Sequence, residues 1–328
     1  MDKVRATLKL IAPVNSIYSA DVMVRAGADE FYLGMESRGL EKITLTTREK
    51  RLYSGKKTYV TEEGFADIVK IAHDNNIKVN LVANIPFIPY ATKDEQNGQH
   101  SNIVTLYLEM INCAKEKGTD AVIIGGINPL LEIKKAGINL PIHAGSLNRV
   151  LNSGQVELLK ELGVSRIIYP YHITLGDIKN TSHVEEVEYE VFGHFSCAGV
   201  SGLCFLRHVN DEELNIQRPC RNTYQANSSF CNEQNYTFLD ANLDCSICSL
   251  DKLIALNIHG IKIVGRERAI NITAPIVKQY RTCIDMLSEG VSRGEVKHLV
   301  SKNPFWVKYF CSQHRCKYLF EENLKAMI

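Results

Sequence analysis

The stretch Lys117-Gly118-Thr119-Asp120-Ala121-Val122-Ile123-Ile124 reads as a helix end, a turn residue and a short, wholly apolar strand. The same phrase recurs at Ala26-Gly27-Ala28-Asp29, Leu162-Gly163-Val164-Ser165 and Asn257-Ile258-His259-Gly260, each ahead of another apolar segment. Glycine or asparagine there supplies the left-handed residue that ends a helix. A strand apolar along its whole length is covered on both faces, as in a parallel sheet flanked by helices. Eight such strands are expected: Lys9–Val14, Glu30–Leu33, Lys78–Asn84, Ala121–Ile124, Pro141–Ala144, Arg166–Tyr169, Glu188–Gly193 and Ile261–Val264. Helical periodicity separates most of them, and a long helix over Ile276–Gly290 follows the last. Eight βα units predict a closed (β/α)8 TIM-like barrel; a doubly wound open sheet is the alternative.

The 328 residues exceed the roughly 250 that such a barrel needs. Residues 1–292 are assigned to the barrel and 293–328 to a C-terminal helical tail. With 38 basic and 37 acidic side chains, the charge carries no footprint for nonspecific nucleic-acid binding. No apolar run is long enough to span a bilayer, so no membrane span is expected. The apolar start is broken by Lys9 and Pro13, which suits a first strand better than a secretory signal, and a cytoplasmic location is expected. In that compartment ten cysteines point to metal ligation or redox chemistry rather than disulfides.

Two stretches break the rhythm. Residues 35–62 form a polar insertion after the second strand. Residues 195–249, between strands seven and eight, hold Cys197, Cys204, Cys220, Cys231, Cys245 and Cys248. Four thiolates about one point suit zinc or a 4Fe–4S cluster. Two CxxC pairs would favour zinc; this excursion has one, Cys245-x2-Cys248, and its other cysteines are scattered, which favours a cluster at the barrel mouth.

The signature stretch Glu190-Val191-Phe192-Gly193-His194, running through Cys197 to Ser201-Gly202-Leu203-Cys204, resembles that of peptidase family U32, the collagenase-like proteases. Ala28–Gly34, Pro141–Asn148, Pro219-Cys220-Arg221 and Lys262-Ile263-Val264-Gly265-Arg266 resemble its other phrases, so the likeness runs over roughly residues 8–270. It implies an oxygen-independent hydroxylation factor like those acting on ubiquinone precursors, tRNA uridine and ribosomal RNA cytidine. It further implies a 4Fe–4S cluster on Cys197, Cys204, Cys220 and Cys245, with Cys248 as an additional metal-ligand candidate, and prephenate as oxygen donor. Some family members work as heterodimers, so a homologous partner subunit is a possible partner. The sequence departs from the family in three ways. His194 sits one residue closer to Cys197; Tyr169-Pro170-Tyr171-His172 replaces an Arg-Glu pair; and the chain ends in an aromatic, basic tail with Cys311-x4-Cys316 in place of the long extension of the RNA-modifying members. RNA is therefore a less expected partner than a small molecule, cofactor precursor or peptide.

His143 and His194 are the catalytic candidates, at strand ends expected to face the mouth. Arg149, Arg221 and Arg266 are candidates for holding a carboxylate, which guanidinium grips in a bidentate fork. Asn84 and Asn148 are candidates for hydrogen-bonding a substrate at the same rim. Cys113 and Cys283 fall within helical patterns and read as core. The expected activity is an iron–sulfur-dependent hydroxylase or related oxidoreductase. A U32-type peptidase and a noncatalytic iron–sulfur subunit are the alternatives; neither HExxH nor GxSxG is present.

Overall fold

The computed structural model describes residues 8–36, 40, 59–85, 88, 92–93, 100–101, 103–194, 224–225, 235–236, 244–266, 268–313 and 316–318. Eight parallel strands form the sheet: β1 (Lys9–Pro13), β2 (Glu30–Met35), β3 (Lys78–Ala83), β4 (Ala121–Ile124), β5 (Ile142–Ala144), β6 (Val164–Ile168), β7 (Glu188–Phe192) and β8 (Gly260–Lys262). Each pairs with the next in sequence, and β1 pairs with both β2 and β8. The sheet is therefore a closed barrel, and the open-sheet alternative falls. A short strand, Tyr59–Val60, lies beside the end of β2.

Helices α1 (Ile17–Arg25), α2 (Glu62–Asp74), α3 (Ile103–Glu116), α4 (Ile127–Lys135), α5 (Ser153–Glu161), α6 (Leu175–Thr181) and α7 (Leu250–Ala255) fill the crossovers. Their starts are written in capping residues: Ser16, Thr61, Asn152 and Thr174 each accept a hydrogen bond from a backbone N–H of the first turn. Their ends follow the repeated phrase, with Gly27, Gly118, Gly163 and Asn257 all at positive φ. The final barrel helix, α8, runs Ile270–Ser288 and so begins six residues before the expected Ile276. Pro275 lies within it; lacking an N–H, it reads in sequence as a boundary.

Alternation along each strand splits the apolar residues into two cores. Leu10, Phe31, Leu81, Ile167, Val191 and Ile261 point outward into the core shared with the helices. Ile11, Tyr32, Val82, Ile123, Ile168 and Phe192 point inward and form a separate apolar plug. Two residues earlier on their strands stand inward-facing polar residues: Glu30 before Tyr32, Asn80 before Val82, Arg166 before Ile168 and Glu190 before Phe192. All four are buried. Arg166 grips Glu30 through two bonds of 2.6 and 2.8 Å, reaches Glu190 at 3.3 Å, and binds Glu188 at 2.6 Å. Lys262 binds Glu190 at 2.9 Å and Asn80 donates to Glu30 at 2.9 Å. Burial pushes the Glu30 carboxyl up, but Arg166 and Asn80 together hold it below the usual carboxylate range. A charged layer thus lies beneath an apolar plug, and chemistry is left to the carboxyl ends of the strands.

Beyond α8 come α9 (Arg293–Ser301) and α10 (Pro304–Tyr309), capped by Ser292 and Asn303. The chain then returns to the barrel. Cys316 bridges in parallel to Cys245, and Lys317 N–H donates to Cys245 O at 2.8 Å.

Candidate active site at the barrel mouth

The site gathers around the end of β7, where Phe192-Gly193-His194 collects partners from three other segments. The Tyr280 hydroxyl on α8 donates to Gly193 O at 2.6 Å, and Ser246 N–H donates to the same oxygen at 3.1 Å. Lys317 Nζ from the tail donates to Phe192 O at 2.9 Å. A Cβ on Gly193 would sit 3.3 Å from the Tyr280 ring, so this close approach favours glycine.

His194 is fully buried, with its ring 6.4 Å from that of Tyr280 in an edge-on contact. Burial, assisted by Arg268, pushes its pKa down to about 3, so the imidazole is neutral at physiological pH. His143 lies elsewhere, in the charged layer. Burial and then Arg166 and Lys262 hold it well below its usual value, and its Nδ1 has no hydrogen-bond partner among the described residues.

The substrate-binding candidates divide. Asn148 donates to Ile124 O and Gly145 O, both at 3.0 Å, which ties two strand ends together. Asn84 Oδ1 is buried beside Gly145 with no partner among the described residues, a buried acceptor open to a ligand donor. Arg149 is exposed, at φ 51°, just after the turn Ser146–Asn148; burial first, and Arg149 second, lower the pKa of His172. Arg266 is half-buried, its guanidinium 5.6 Å from the centre of the Tyr32 ring. It follows Gly265, whose φ of 149° disfavours a side chain and where an added Cβ would lie 3.1 Å from Thr273 Oγ1. Arg221 lies outside the described residues.

Of the metal-ligand candidates, Cys197, Cys204 and Cys220 lie outside the described residues. Cys245 is buried, and its sulfur accepts N–H donors from Trp306 Nε1 at 3.2 Å and Ile247 N at 3.5 Å. N–H donors aimed at sulfur suit a metal-bound thiolate, so this residue fits the ligand role. Cys248 is half-buried in the turn Ile247–Ser249. Among the described residues, no three His, Cys, Asp or Glu side chains stand ready to hold a metal.

Sequence reasoning missed Tyr171, Asp244, Lys317 and Trp306 as parts of the mouth. The Tyr171 hydroxyl donates to Asp244, and its ring lies against Phe192. Lys317 Nζ stands 4.3 Å over the Tyr171 ring. Burial lowers its pKa to about 7, with Asp244 acting the other way. Nothing local in the sequence marks Lys317; its importance comes from the return of the tail.

These features define a class: a parallel (β/α)8 barrel with one polar, cysteine-bearing mouth at the carboxyl ends of its strands. The model of peptidase family U32 matches residues 15–317, and the chain belongs to this family. It is 23% identical over 84% of its length to tRNA hydroxylation protein P1 of Bacillus subtilis (strain 168). It is 24% identical over 86% of its length to an uncharacterized protease of Methanocaldococcus jannaschii, and 21% identical over 93% of its length to a collagenase of Porphyromonas gingivalis. The alignments span 63%, 66% and 74% of those relatives. The solved structure of a U32 peptidase superposes with a TM-score of 0.51 at 13% identity, over 82% of this chain and 97% of the other, a likeness of fold. Among the described residues no helix is long and apolar enough to cross a membrane.

Proposed function

We propose that this protein is an iron–sulfur-dependent, oxygen-independent hydroxylase or related oxidoreductase working at the barrel mouth. The observation that carries this reading is Cys245, buried beside the end of β7 with two N–H donors on its sulfur. The name of the Bacillus relative supports hydroxylation. Cys197, Cys204 and Cys220 would hold the 4Fe–4S cluster, the fourth iron taking Cys245 or Cys248 or an oxygen-bearing ligand. When bound, such a cluster supplies electron transfer or a Lewis-acidic iron.

The chain's own residues shape the rest. Arg149 and Arg266 would hold a carboxylate, such as that of prephenate as oxygen donor, in a bidentate fork. His194, held neutral, offers a hydrogen bond without adding charge. The apolar plug of Ile11, Tyr32 and Phe192 closes the barrel below the site and excludes water. A small molecule, cofactor precursor, peptide or RNA base could be the acceptor; the tRNA hydroxylation relative gives RNA more weight than the charge balance alone.

The peptidase reading draws on the relatives named as proteases. It needs an activated thiol, and a nucleophilic cysteine has its pKa lowered. Burial raises every cysteine among the described residues: Cys113, Cys245, Cys248, Cys283, Cys311 and Cys316. A noncatalytic subunit of a heterodimer would carry the same cluster without turnover. Mass spectrometry of metabolites, peptides and RNA nucleosides from anaerobic cells with and without the gene separates the three. A species heavier by one oxygen, lost with the gene, supports hydroxylation. Gene-dependent cleaved peptides with no oxygen-bearing product would contradict it.

A further inference from the structure

The chain's single tryptophan lies in the tail, beyond the barrel, yet the fold brings its indole to the Cys245 sulfur. We propose that Trp306 is a positioning residue that orients the Cys245 thiolate and raises the reduction potential of the cluster, so that the docked tail is part of the cluster site. This rests on the reading above that a 4Fe–4S cluster is held with Cys245 among its ligands.

The contact is built from both sides. On the tail, Asn303 caps α10 by accepting the Trp306 backbone N–H at 3.2 Å, and its Nδ2 donates to Gln279 Oε1 on α8 at 3.0 Å. The start of α10 is thereby tied to the last barrel helix. The indole is buried, stacked on Phe310 with ring centres 4.6 Å apart and edge-on to Tyr280 at 6.1 Å. That packing fixes the direction of its one N–H, which meets Cys245 Sγ at 3.2 Å across 61 residues of chain. On the barrel side, the backbone of the cysteine is held as well. Lys317 N–H donates to Cys245 O at 2.8 Å, and the next residue, Ser246, donates its N–H to Gly193 O at 3.1 Å.

The chemistry follows from the sulfur's two states. A neutral thiol is a weak acceptor, whereas a thiolate on iron is charged, and hydrogen bonds to charged groups are the stronger ones. Trp306 and Ile247 both direct N–H groups at this sulfur, Ile247 from 3.5 Å. Hydrogen bonds to the sulfurs are among the factors that set a cluster's potential. An electron added to the cluster makes its sulfurs more negative, so an N–H donor stabilises the reduced state more than the oxidised one and raises the potential. Burial strengthens the effect, because little solvent screens it. Trp306→Phe keeps an aromatic ring over the sulfur and removes the N–H, which separates the hydrogen bond from the exclusion of solvent.

The test is a reductive titration of the anaerobically purified, cluster-loaded full chain in a spectroelectrochemical cell, with iron and acid-labile sulfide measured on each sample. Trp306→Phe should keep its iron and sulfide and show a midpoint lower by about 59 mV, a tenfold change in a one-electron equilibrium. Phe310→Leu, which loosens the same packing and leaves the N–H in place, should stay near the wild-type midpoint. An unchanged or raised midpoint in Trp306→Phe would overturn the proposal, as would an equal shift in Phe310→Leu. Should Trp306→Phe fail to fold, biosynthetic replacement of the single tryptophan by benzothienylalanine, which has sulfur in place of the indole N–H, should give the same downward shift; a midpoint that stays put would sink the idea. A folded wild type without iron or sulfide defeats the hydroxylase reading and this inference together, whereas a loaded wild type with an unmoved variant defeats this inference alone.

Discussion

At the scale of single residues, Arg166 carries the largest burden in the barrel interior. It stands among Glu30, Glu188 and Glu190, and no solvent is at hand to replace it at Glu30. Breaking a buried pair from one side costs about 3–5 kcal/mol, because the remaining charge is stranded. Arg166→Met should lose about that much in urea unfolding, and adding Glu30→Gln should restore part of it. Single and double variants of equal stability would show that the pair is not coupled. His143 in the same layer sets a pH dependence. Its folded pKa lies well below the unfolded value of about 6.5, so its contribution is complete above that pH and is lost as pH falls. Each unit below it should cost up to about 1.4 kcal/mol until the folded pKa is reached. His194 has the same sign. Stability measured between about pH 7 and pH 5 should fall, and His143→Gln should flatten the slope. A slope that rises toward acid would refute this account of the layer.

At the scale of elements, the seating of α10 matters most for the mouth. Trp306 is buried, stacks on Phe310 with ring centres 4.6 Å apart, meets Tyr280 at 6.1 Å and donates to Cys245. Trp306→Ala should cost about 3–5 kcal/mol in denaturant unfolding, the range for removing a large aromatic from a core. Trp306→Phe should keep most of the packing and lose the N–H donor at Cys245, so its stability should lie between the other two. An alanine variant as stable as the wild type would mean that the tail is not docked. The strands and the turn residues between them were legible, because apolar runs punctuated by glycine or asparagine are local signals. Pro275 hid the first turns of α8 for an equally local reason. The docking of α10 was not legible, since Trp306, Cys316 and Lys317 gain their meaning from contacts with Cys245 and Phe192 far away in the chain.

At the scale of the whole molecule, closure of the barrel puts the charged layer and the apolar plug in series and leaves one working end. The rim placement of His194, Arg266 and Asn84 was readable because strand ends were readable. His143 lies instead within the charged layer, since it is the middle residue of a short strand and faces inward beside Arg166. The identity of the metal chemistry lies in cysteines whose spacing alone left zinc and iron–sulfur both open. Anaerobic analysis of iron and acid-labile sulfide in the native protein tests the central claim most directly. The account predicts roughly four irons and four sulfides per chain, lost together on Cys197→Ser. A folded native protein with neither iron nor sulfide would contradict it.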